Sequence, residues 1–233
     1  MLSTVASPGV PVNLARRVVA EGLGTAFLVA AVIGSGIMAQ RLAGPDVALA
    51  LLANTLATGG ALVALILTFG PISGAQFNPI VTLWLASTRA VSWRDAAALI
   101  VAQVVGAVAG ALLANTMFGL APVSWAATRR GSLPLLVSEV VATFGLLGVI
   151  ISTTRRQPSS TPFAVAAYVI AAYWFTASTA FANPAVTIAR CVSDTFAGIR
   201  PGDVPGFVAA QLVGGAAATI TFGWLVPRQL PAA

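Results

Sequence analysis

The feature that most constrains this chain is a short motif that occurs twice. Residues 77–82 read Phe-Asn-Pro-Ile-Val-Thr, and residues 181–187 read Phe-Ala-Asn-Pro-Ala-Val-Thr. Asn and Pro favour turns and helix starts, and Pro is tolerated at the first helical position because its missing N–H has no partner there. Each copy therefore predicts the start of a helix, with Asn78 or Asn183 beside the unpaired backbone N–H groups.

The sequence around both copies is typical of a membrane protein. Hydrophobic residues make up 58% of the chain and charged residues 8%, whereas roughly 25% of an ordinary soluble domain is charged. Apolar runs of about 20 residues cross a bilayer as helices. Polar backbone at that depth is tolerated only where it is buried in protein or lines a cavity. An all-α membrane protein without a soluble module is predicted.

Six spanning helices are predicted, at 18–39, 47–69, 95–118, 135–153, 163–176 and 207–226. The apolar segments that follow the two motifs, 80–86 and 186–191, are too short to span and predict re-entrant half-helices. Two spans, a half-helix and one span therefore occur twice. This order divides the chain into a disordered leader 1–14, a first repeat 15–118, a connecting loop 119–134, a second repeat 135–228 and a tail 229–233.

Three spans per repeat place the two copies in opposite orientations. In inverted repeats of this kind, the substrate path lies at the midplane between discontinuous helices. A second echo supports the repeat, because Glu21 precedes Thr25 by four residues in the first helix and Glu139 precedes Thr143 by four in the fourth. A charged carboxylate inside a bilayer is costly unless it is paired.

All 12 basic residues are Arg, and they lie at helix ends and in loops, which favours topological anchors over nucleic-acid binding. A cytoplasmic location of both termini is weakly favoured. It places Arg16, Arg17, Arg89, Arg94, Arg155, Arg156 and Arg228 inside and Arg41, Arg129, Arg130, Arg190 and Arg200 outside. The chain has no His and one Cys, Cys191, so no metal cluster or cofactor is expected.

Between 16 and 228 the chain resembles the aquaporin and aquaglyceroporin (major intrinsic protein) family. The resemblance implies six tilted helices, two half-helices that meet at the bilayer centre, and a homotetramer with one pore per subunit in the plasma membrane. It assigns the pore midplane to Asn78, Pro79, Ile80, Asn183, Pro184 and Ala185. Ile80 replaces the usual Ala and is expected to narrow or shift the midplane contact.

The resemblance also implies a role for the two carboxylates. Glu21 and Glu139 are expected to accept hydrogen bonds from the re-entrant loop of their own repeat. The alternative is a proton-coupling carboxylate of a secondary transporter.

The family's selectivity filter is altered in this chain. Val186 stands directly after the second Asn-Pro-Ala, where the family nearly always has Arg, and spacing places Thr58, Ala171 and Ala180 at the other filter positions. All four are small, which predicts a wide, weakly polar and uncharged filter. The combination resembles bacterial aquaglyceroporin-like channels linked to arsenic resistance, and it implies passage of glycerol, urea or arsenous acid.

Three residues near this filter allow two interpretations. Arg190, one turn after Val186, either turns its charge toward the mouth or pairs with Asp194, and the pairing is favoured. Tyr168 and Tyr173 either face the pore or contact lipid and core, and the second is favoured.

Three function classes follow. A passive channel for small neutral solutes is the main prediction, with a water-selective channel as its alternative. A coupled transporter needs a titrating group at the midplane, which the Asn-Pro motifs do not supply. A membrane enzyme needs a nucleophile with a base or a metal cluster, and no such constellation is evident.

Overall fold

The computed structural model describes residues 13–227. The predicted tail, Arg228 and all but the end of the predicted leader lie outside this part of the chain. Leu14, which was assigned to the leader, is already helical.

Within residues 13–227 the chain folds into long helices and two short ones. In chain order they are α1 (Leu14–Ala43), α2 (Val47–Ser73), α3 (Pro79–Ser87), α4 (Trp93–Met117), α5 (Leu133–Arg156), α6 (Thr161–Phe175), α7 (Pro184–Ala189) and α8 (Val204–Leu225). Short 3-10 turns lie at Pro158–Ser160, Arg190–Val192 and Pro201–Asp203. The predicted order of six long helices and two half-helices, α3 and α7, is confirmed.

Two helices, α1 and α4, begin at capping residues that lie before the apolar runs from which their starts are predicted. The Asn13 carboxamide oxygen accepts a hydrogen bond from the Arg16 N–H at 3.0 Å, and the Ser92 hydroxyl accepts one from the Asp95 N–H at 3.0 Å. These caps satisfy backbone donors of the first turn. The spans predicted from 18 and 95 therefore begin four and two residues too late.

The second span also ends later than predicted. Pro71 and Ser73 remain helical, and Gly74 ends the helix in the left-handed conformation at φ 89°. Pro in a helix removes a hydrogen bond and crowds the preceding turn, and the Gly70-Pro71 pair therefore predicts an end at residue 69. Here Pro71 lies in the last turn, where few hydrogen bonds depend on it.

Five of the long helices are long and apolar enough to cross a membrane, and α6 is not among them. With 15 residues and a rise of about 1.5 Å per residue, α6 is roughly 22 Å long. The 3-10 turn Pro158–Ser160 precedes it, and a non-helical segment leads from it to the second Asn-Pro.

The helix contacts follow the repeat. In the first repeat α1 packs on α2 and α4, and in the second α5 packs on α6 and α8. The half-helices join the two repeats, since α3 contacts α4 and α8, and α7 also contacts α4 and α8. The inverted repeat therefore encloses both half-helices between its long helices.

Glycines let the helices of each repeat approach at backbone distance. A Cβ built on Gly106 of α4 would collide with the Gly22 carbonyl of α1, and one built on Gly214 of α8 would collide with the Val140 carbonyl of α5. Small residues at such crossings are a feature of membrane helix packing.

The connecting loop lies against the segment that follows α7. Its Ser124 and Ala126 N–H groups donate to the Val192 and Cys191 carbonyls at 3.0 and 2.9 Å, and the Arg200 N–H donates to Thr128 at 2.8 Å. These hydrogen bonds hold the loop over one end of the half-helix α7.

Replacing Gly106 by Ala is expected to destabilise the fold, because the added methyl group has no space beside Gly22. Overpacking of this kind costs about 1–3 kcal/mol. Gly60→Ala in α2 is the matched control, since its Cβ would have no neighbour within 4 Å. Thermal unfolding in detergent should show a lower midpoint for Gly106→Ala only. An equal midpoint for both variants would contradict the close crossing.

Candidate functional site

The two motif asparagines cap the half-helices and bind each other's repeat. The Asn78 side-chain oxygen accepts from the Ile80 N–H at 2.9 Å, and its nitrogen donates to the Ala182 carbonyl at 2.8 Å. The Asn183 oxygen accepts from the Ala185 N–H at 3.0 Å, and its nitrogen donates to the Phe77 carbonyl at 2.8 Å. This reciprocal pair fixes the two half-helices end to end.

The first re-entrant loop is bound to a buried carboxylate of α1. Glu21 is 0% exposed, and one of its oxygens accepts from the Ser73 hydroxyl at 2.6 Å and the Gln76 N–H at 2.9 Å. The other accepts from the Phe77 N–H and the Gln103 amide, both at 2.7 Å. Four donors therefore converge on one carboxylate.

The second repeat copies this arrangement. Glu139 of α5 is also 0% exposed. It accepts from the Phe181 and Ala182 N–H groups at 2.9 Å each and from the Gln211 amide at 2.6 Å. The hydrogen bonds expected for Glu21 and Glu139 are thus present in both repeats.

Sequence analysis missed the two glutamines that complete these networks. Gln103 of α4 donates to Glu21 and to the Thr82 hydroxyl at 2.9 Å. Gln211 of α8 donates to Glu139 and to the Thr187 hydroxyl at 2.8 Å. The signal was available, because each Gln is an isolated amide in an apolar helix, and each Thr belongs to its repeat's Asn-Pro-x-Val-Thr motif.

The loops held by these carboxylates have an unusual backbone. Ala75, Phe77, Ala180 and Ala182 have φ values of 46–47°, in the left-handed region that non-glycine residues rarely adopt. Each such residue costs free energy and persists only where its surroundings fix it. The Glu21 and Glu139 hydrogen bonds supply that constraint.

Glu21→Gln is expected to weaken the first loop, because an amide presents donors to N–H groups that need acceptors. Leaving buried donors unsatisfied costs about 1–3 kcal/mol each. The midpoint of thermal unfolding in detergent should therefore fall. Asp46→Asn is the control, since Asp46 is an exposed helix cap and Asn caps equally well. Unchanged stability in Glu21→Gln would refute the structural role.

A cavity of about 140 Å³ runs beside both asparagines. Its wall combines apolar residues of α1, α2, α5 and α6 with residues of the two loops. The polar or site-related residues on it are Thr58, Gln76, Asn78, Thr154, Thr161, Tyr168, Tyr173, Ala180, Asn183, Val186 and Arg190.

Three of the four predicted filter residues lie on this wall, and one does not. Thr58, Ala180 and Val186 line the cavity. Ala171 is exposed, and Ala172, which is buried, takes the place predicted for it. One residue turns a helix by about 100°, so a miscount of one moves the side chain from the cavity to the outside of α6.

The two tyrosines contact both the core and the cavity, since Tyr173 is 4% exposed and Tyr168 packs against the apolar cluster that includes Ala142 and Val165. Tyr168 and Tyr173 both line the cavity. The Tyr173 hydroxyl lies 3.4 Å from the Thr58 hydroxyl, and the Tyr168 hydroxyl donates to the Ala142 carbonyl at 3.1 Å.

The predicted pairing of Arg190 with Asp194 is wrong. Asp194 accepts from the Ala127 N–H at 3.0 Å instead. The Arg190 side chain donates from Nε to the Ala197 carbonyl, stacks on the Phe181 ring and lines the cavity. The sequence predicts an uncharged filter around Val186. In the structure the cavity that Val186 lines also carries the guanidinium of Arg190.

A second guanidinium reaches the same ring from the connecting loop. Arg130 lies 5.1 Å from the Phe181 ring centre, and its Nε donates to the Gly198 carbonyl at 2.9 Å. Burial lowers the pKa of Arg130 from its ordinary value, while the nearby charge of Glu139 opposes that shift.

Ile80 does not line the cavity that holds the two asparagines. Its side chain points to α8, where a Cβ on Gly215 would collide with it, and it packs with Leu147 and Ile151 of α5. Pro79, Pro184 and Ala185 are buried in the half-helices and lie off the cavity wall. The larger Ile80 is accommodated because residue 215 is Gly.

Ile80→Ala and Gly215→Ala are expected to compensate each other. The first leaves a void and the second overpacks the same contact, at costs of about 2–5 and 1–3 kcal/mol. The double variant should unfold at a higher temperature than the two single effects predict. Strictly additive midpoints would contradict the contact between Ile80 and residue 215.

The fold and the site define a class of membrane protein in which an inverted repeat brings two capped half-helices to one cavity. The comparisons with known proteins specify this class. A family model described as Major intrinsic protein matches residues 10–175, and the chain belongs to that family.

Three proteins are similar to this chain in sequence or in fold. Aquaglyceroporin AqpS of Rhizobium meliloti is 51% identical over 219 residues, which is 94% of each chain. Aquaporin Z of Rhodopseudomonas palustris is 33% identical over 61% of this chain and 64% of its own. The X-ray structure of the aquaglyceroporin from Plasmodium falciparum matches with a TM-score of 0.66 at 21% identity, over 91% of this chain and 95% of that chain. The last comparison supports the fold alone.

Proposed function

We propose that the protein is a passive channel for small uncharged solutes: glycerol, metalloid acids such as arsenous acid, and water. The observation that carries this proposal is the cavity wall that holds Asn78 and Asn183 together with small side chains at Thr58, Ala172, Ala180 and Val186. Each Asn amide has two N–H groups and gives one to the opposite loop. The second is available to a passing hydroxyl.

The rest of the wall suits a solute with one apolar and one polar side. Leu28, Val32, Leu62, Leu146 and Val165 form its apolar part. Its polar part includes Thr58, Asn78, Tyr173, Asn183 and Arg190. Glycerol has such a shape, with its carbons along one edge and its hydroxyls along the other.

Two relatives bear on the choice of solute. The name of the 51% identical protein, aquaglyceroporin, supports polyol passage. Passage of arsenous acid rests on the wide filter and on the resemblance to arsenic-linked bacterial channels. A water-selective channel is the alternative, in keeping with the more distant similarity to Aquaporin Z.

The carboxylates favour a passive mechanism over coupled transport. A proton-coupled transporter needs a carboxylate that gains and loses a proton during the cycle. Glu21 and Glu139 accept four and three hydrogen bonds in networks that fix the loops. Protonation of either would disrupt the half-helix beside it.

The proposal also covers the membrane location, the oligomeric state and the orientation of the channel. Exposed apolar side chains on the long helices, such as Val19, Phe27, Leu56, Phe163 and Ile220, fit contact with lipid or with further copies. We infer a homotetramer in the plasma membrane with both termini in the cytoplasm. Its ligands are small solutes and lipid, without nucleic acid.

Val186→Arg is the direct test of the filter. A guanidinium at this position adds bulk and charge, so glycerol uptake should fall about tenfold or more and water flux should fall less. Stopped-flow light scattering on reconstituted vesicles measures both solutes, and direct uptake measures arsenous acid. Val186→Leu adds bulk without charge. If wild-type vesicles pass only water, or if Val186→Arg changes nothing, the solute or the filter assignment is wrong.

A further inference from the structure

Arg190 is a buried charge on the channel wall. It is 4% exposed, yet its side chain lines the cavity beside Val186. The guanidinium carbon lies 3.3 Å from the centre of the Phe181 ring, and Nε donates to the Ala197 carbonyl. No ion pair joins Arg190 to a carboxylate within residues 13–227.

A second guanidinium contacts the same ring. The half-buried Arg130 lies over Phe181, and its side chain is bound to the Gly198 and Ser178 carbonyls. One carboxylate, Glu139, acts on both arginines, but it accepts hydrogen bonds from the second loop and from Gln211. Two guanidinium groups against one carboxylate leave a net positive charge here, and a positive cleft raises the local concentration of anions.

The two terminal nitrogens of the Arg190 guanidinium, Nη1 and Nη2, remain available to bind a ligand. An Arg side chain has five N–H groups in a fixed fork that matches the two oxygens of a carboxylate. Within residues 13–227, only the Nε–H group of Arg190 has an acceptor, which is the Ala197 carbonyl. The hydroxyl groups of Tyr173 and Thr58, 3.4 Å apart, belong to the same cavity wall and add a donor and an acceptor.

We propose that Arg190, with the Tyr173 hydroxyl, binds the carboxylate or similar oxyanion group of a small solute. The solute class is that of compact monoanionic oxyacids of about the size of glycerol, with no more than three carbon atoms. The site rests on the proposed channel function and adds an anionic class to its neutral solutes. Val186 makes the site possible, because an Arg there would occupy the space that the ligand needs.

Glycerate is the matched probe, since it is glycerol with one terminal CH₂OH replaced by a carboxylate. Uptake of glycerate and glycerol is measured in proteoliposomes at pH 7, with potassium and valinomycin holding the membrane potential at zero. Wild-type vesicles should take up glycerate, and glycerate should compete with glycerol. Arg190→Gln should lower glycerate uptake about tenfold, as expected for the loss of a charge-assisted hydrogen bond, and should raise the ratio of glycerol uptake to glycerate uptake.

Two further variants separate the site from general effects. Arg190→Lys keeps the charge but loses the fork, so its glycerate uptake should lie between wild type and Arg190→Gln. Arg129→Gln removes an exposed charge next to Arg130 and should change neither solute. If Arg190→Gln does not fold, the Lys variant and the competition in wild type still test the site.

The outcomes distinguish the two proposals. Equal glycerate uptake in wild type and Arg190→Gln overturns the site, and so does wild type that passes glycerol but neither passes glycerate nor is inhibited by it. Wild type that passes neither glycerol nor other neutral solutes overturns the channel function itself.

Discussion

The structure depends on two buried carboxylates that capture backbone N–H groups. Within the membrane no water is available to satisfy the re-entrant loops, and the left-handed residues Ala75, Phe77, Ala180 and Ala182 would be unfavourable without support. Glu21 and Glu139 provide the acceptors. Gln103 and Gln211 tie each carboxylate to the threonine of its half-helix. A charge that is costly in lipid is thereby used to stabilise the least regular backbone of the chain.

The two repeats are alike in these networks and differ where they meet the cavity. The Asn-Pro-Ile of the first copy requires Gly215 opposite it, whereas the Asn-Pro-Ala of the second is followed by Val186 and, one turn later, by Arg190. The charged end of the cavity has Arg190 of the second repeat on its wall, and Arg130 of the connecting loop contacts the same Phe181 ring from outside that wall. Asymmetry at the half-helices gives the cavity an end that is electrostatically distinct from the other.

The architecture could be predicted because short sequence motifs and apolar runs indicate it. Two Asn-Pro motifs, two Glu-x-x-x-Thr segments and six apolar runs define an inverted repeat without knowledge of any contact. The residues around the filter could not be predicted in the same way. Ala171 was chosen by counting across a non-helical segment, where a miscount of one residue turns the side chain out of the cavity. Arg190 was assigned to Asp194 by helical spacing, but α7 ends at Ala189, and the chain then bends so that Ala197 and Phe181 bind the guanidinium.

The short helix α6 determines how well the apolar surface of the protein matches the thickness of the bilayer. An apolar core about 30 Å thick exceeds the roughly 22 Å of α6, whereas α1, with 30 residues, is longer than the same core. The apolar perimeter of a single subunit is therefore uneven in height. Lipid beside α6 must thin, or another protein surface must cover the difference, and each response carries a small free-energy cost per ångström of mismatch. A change in membrane thickness therefore changes the free-energy cost of mismatch most directly at α6. This helix carries Tyr168, Ala172 and Tyr173 on the cavity wall.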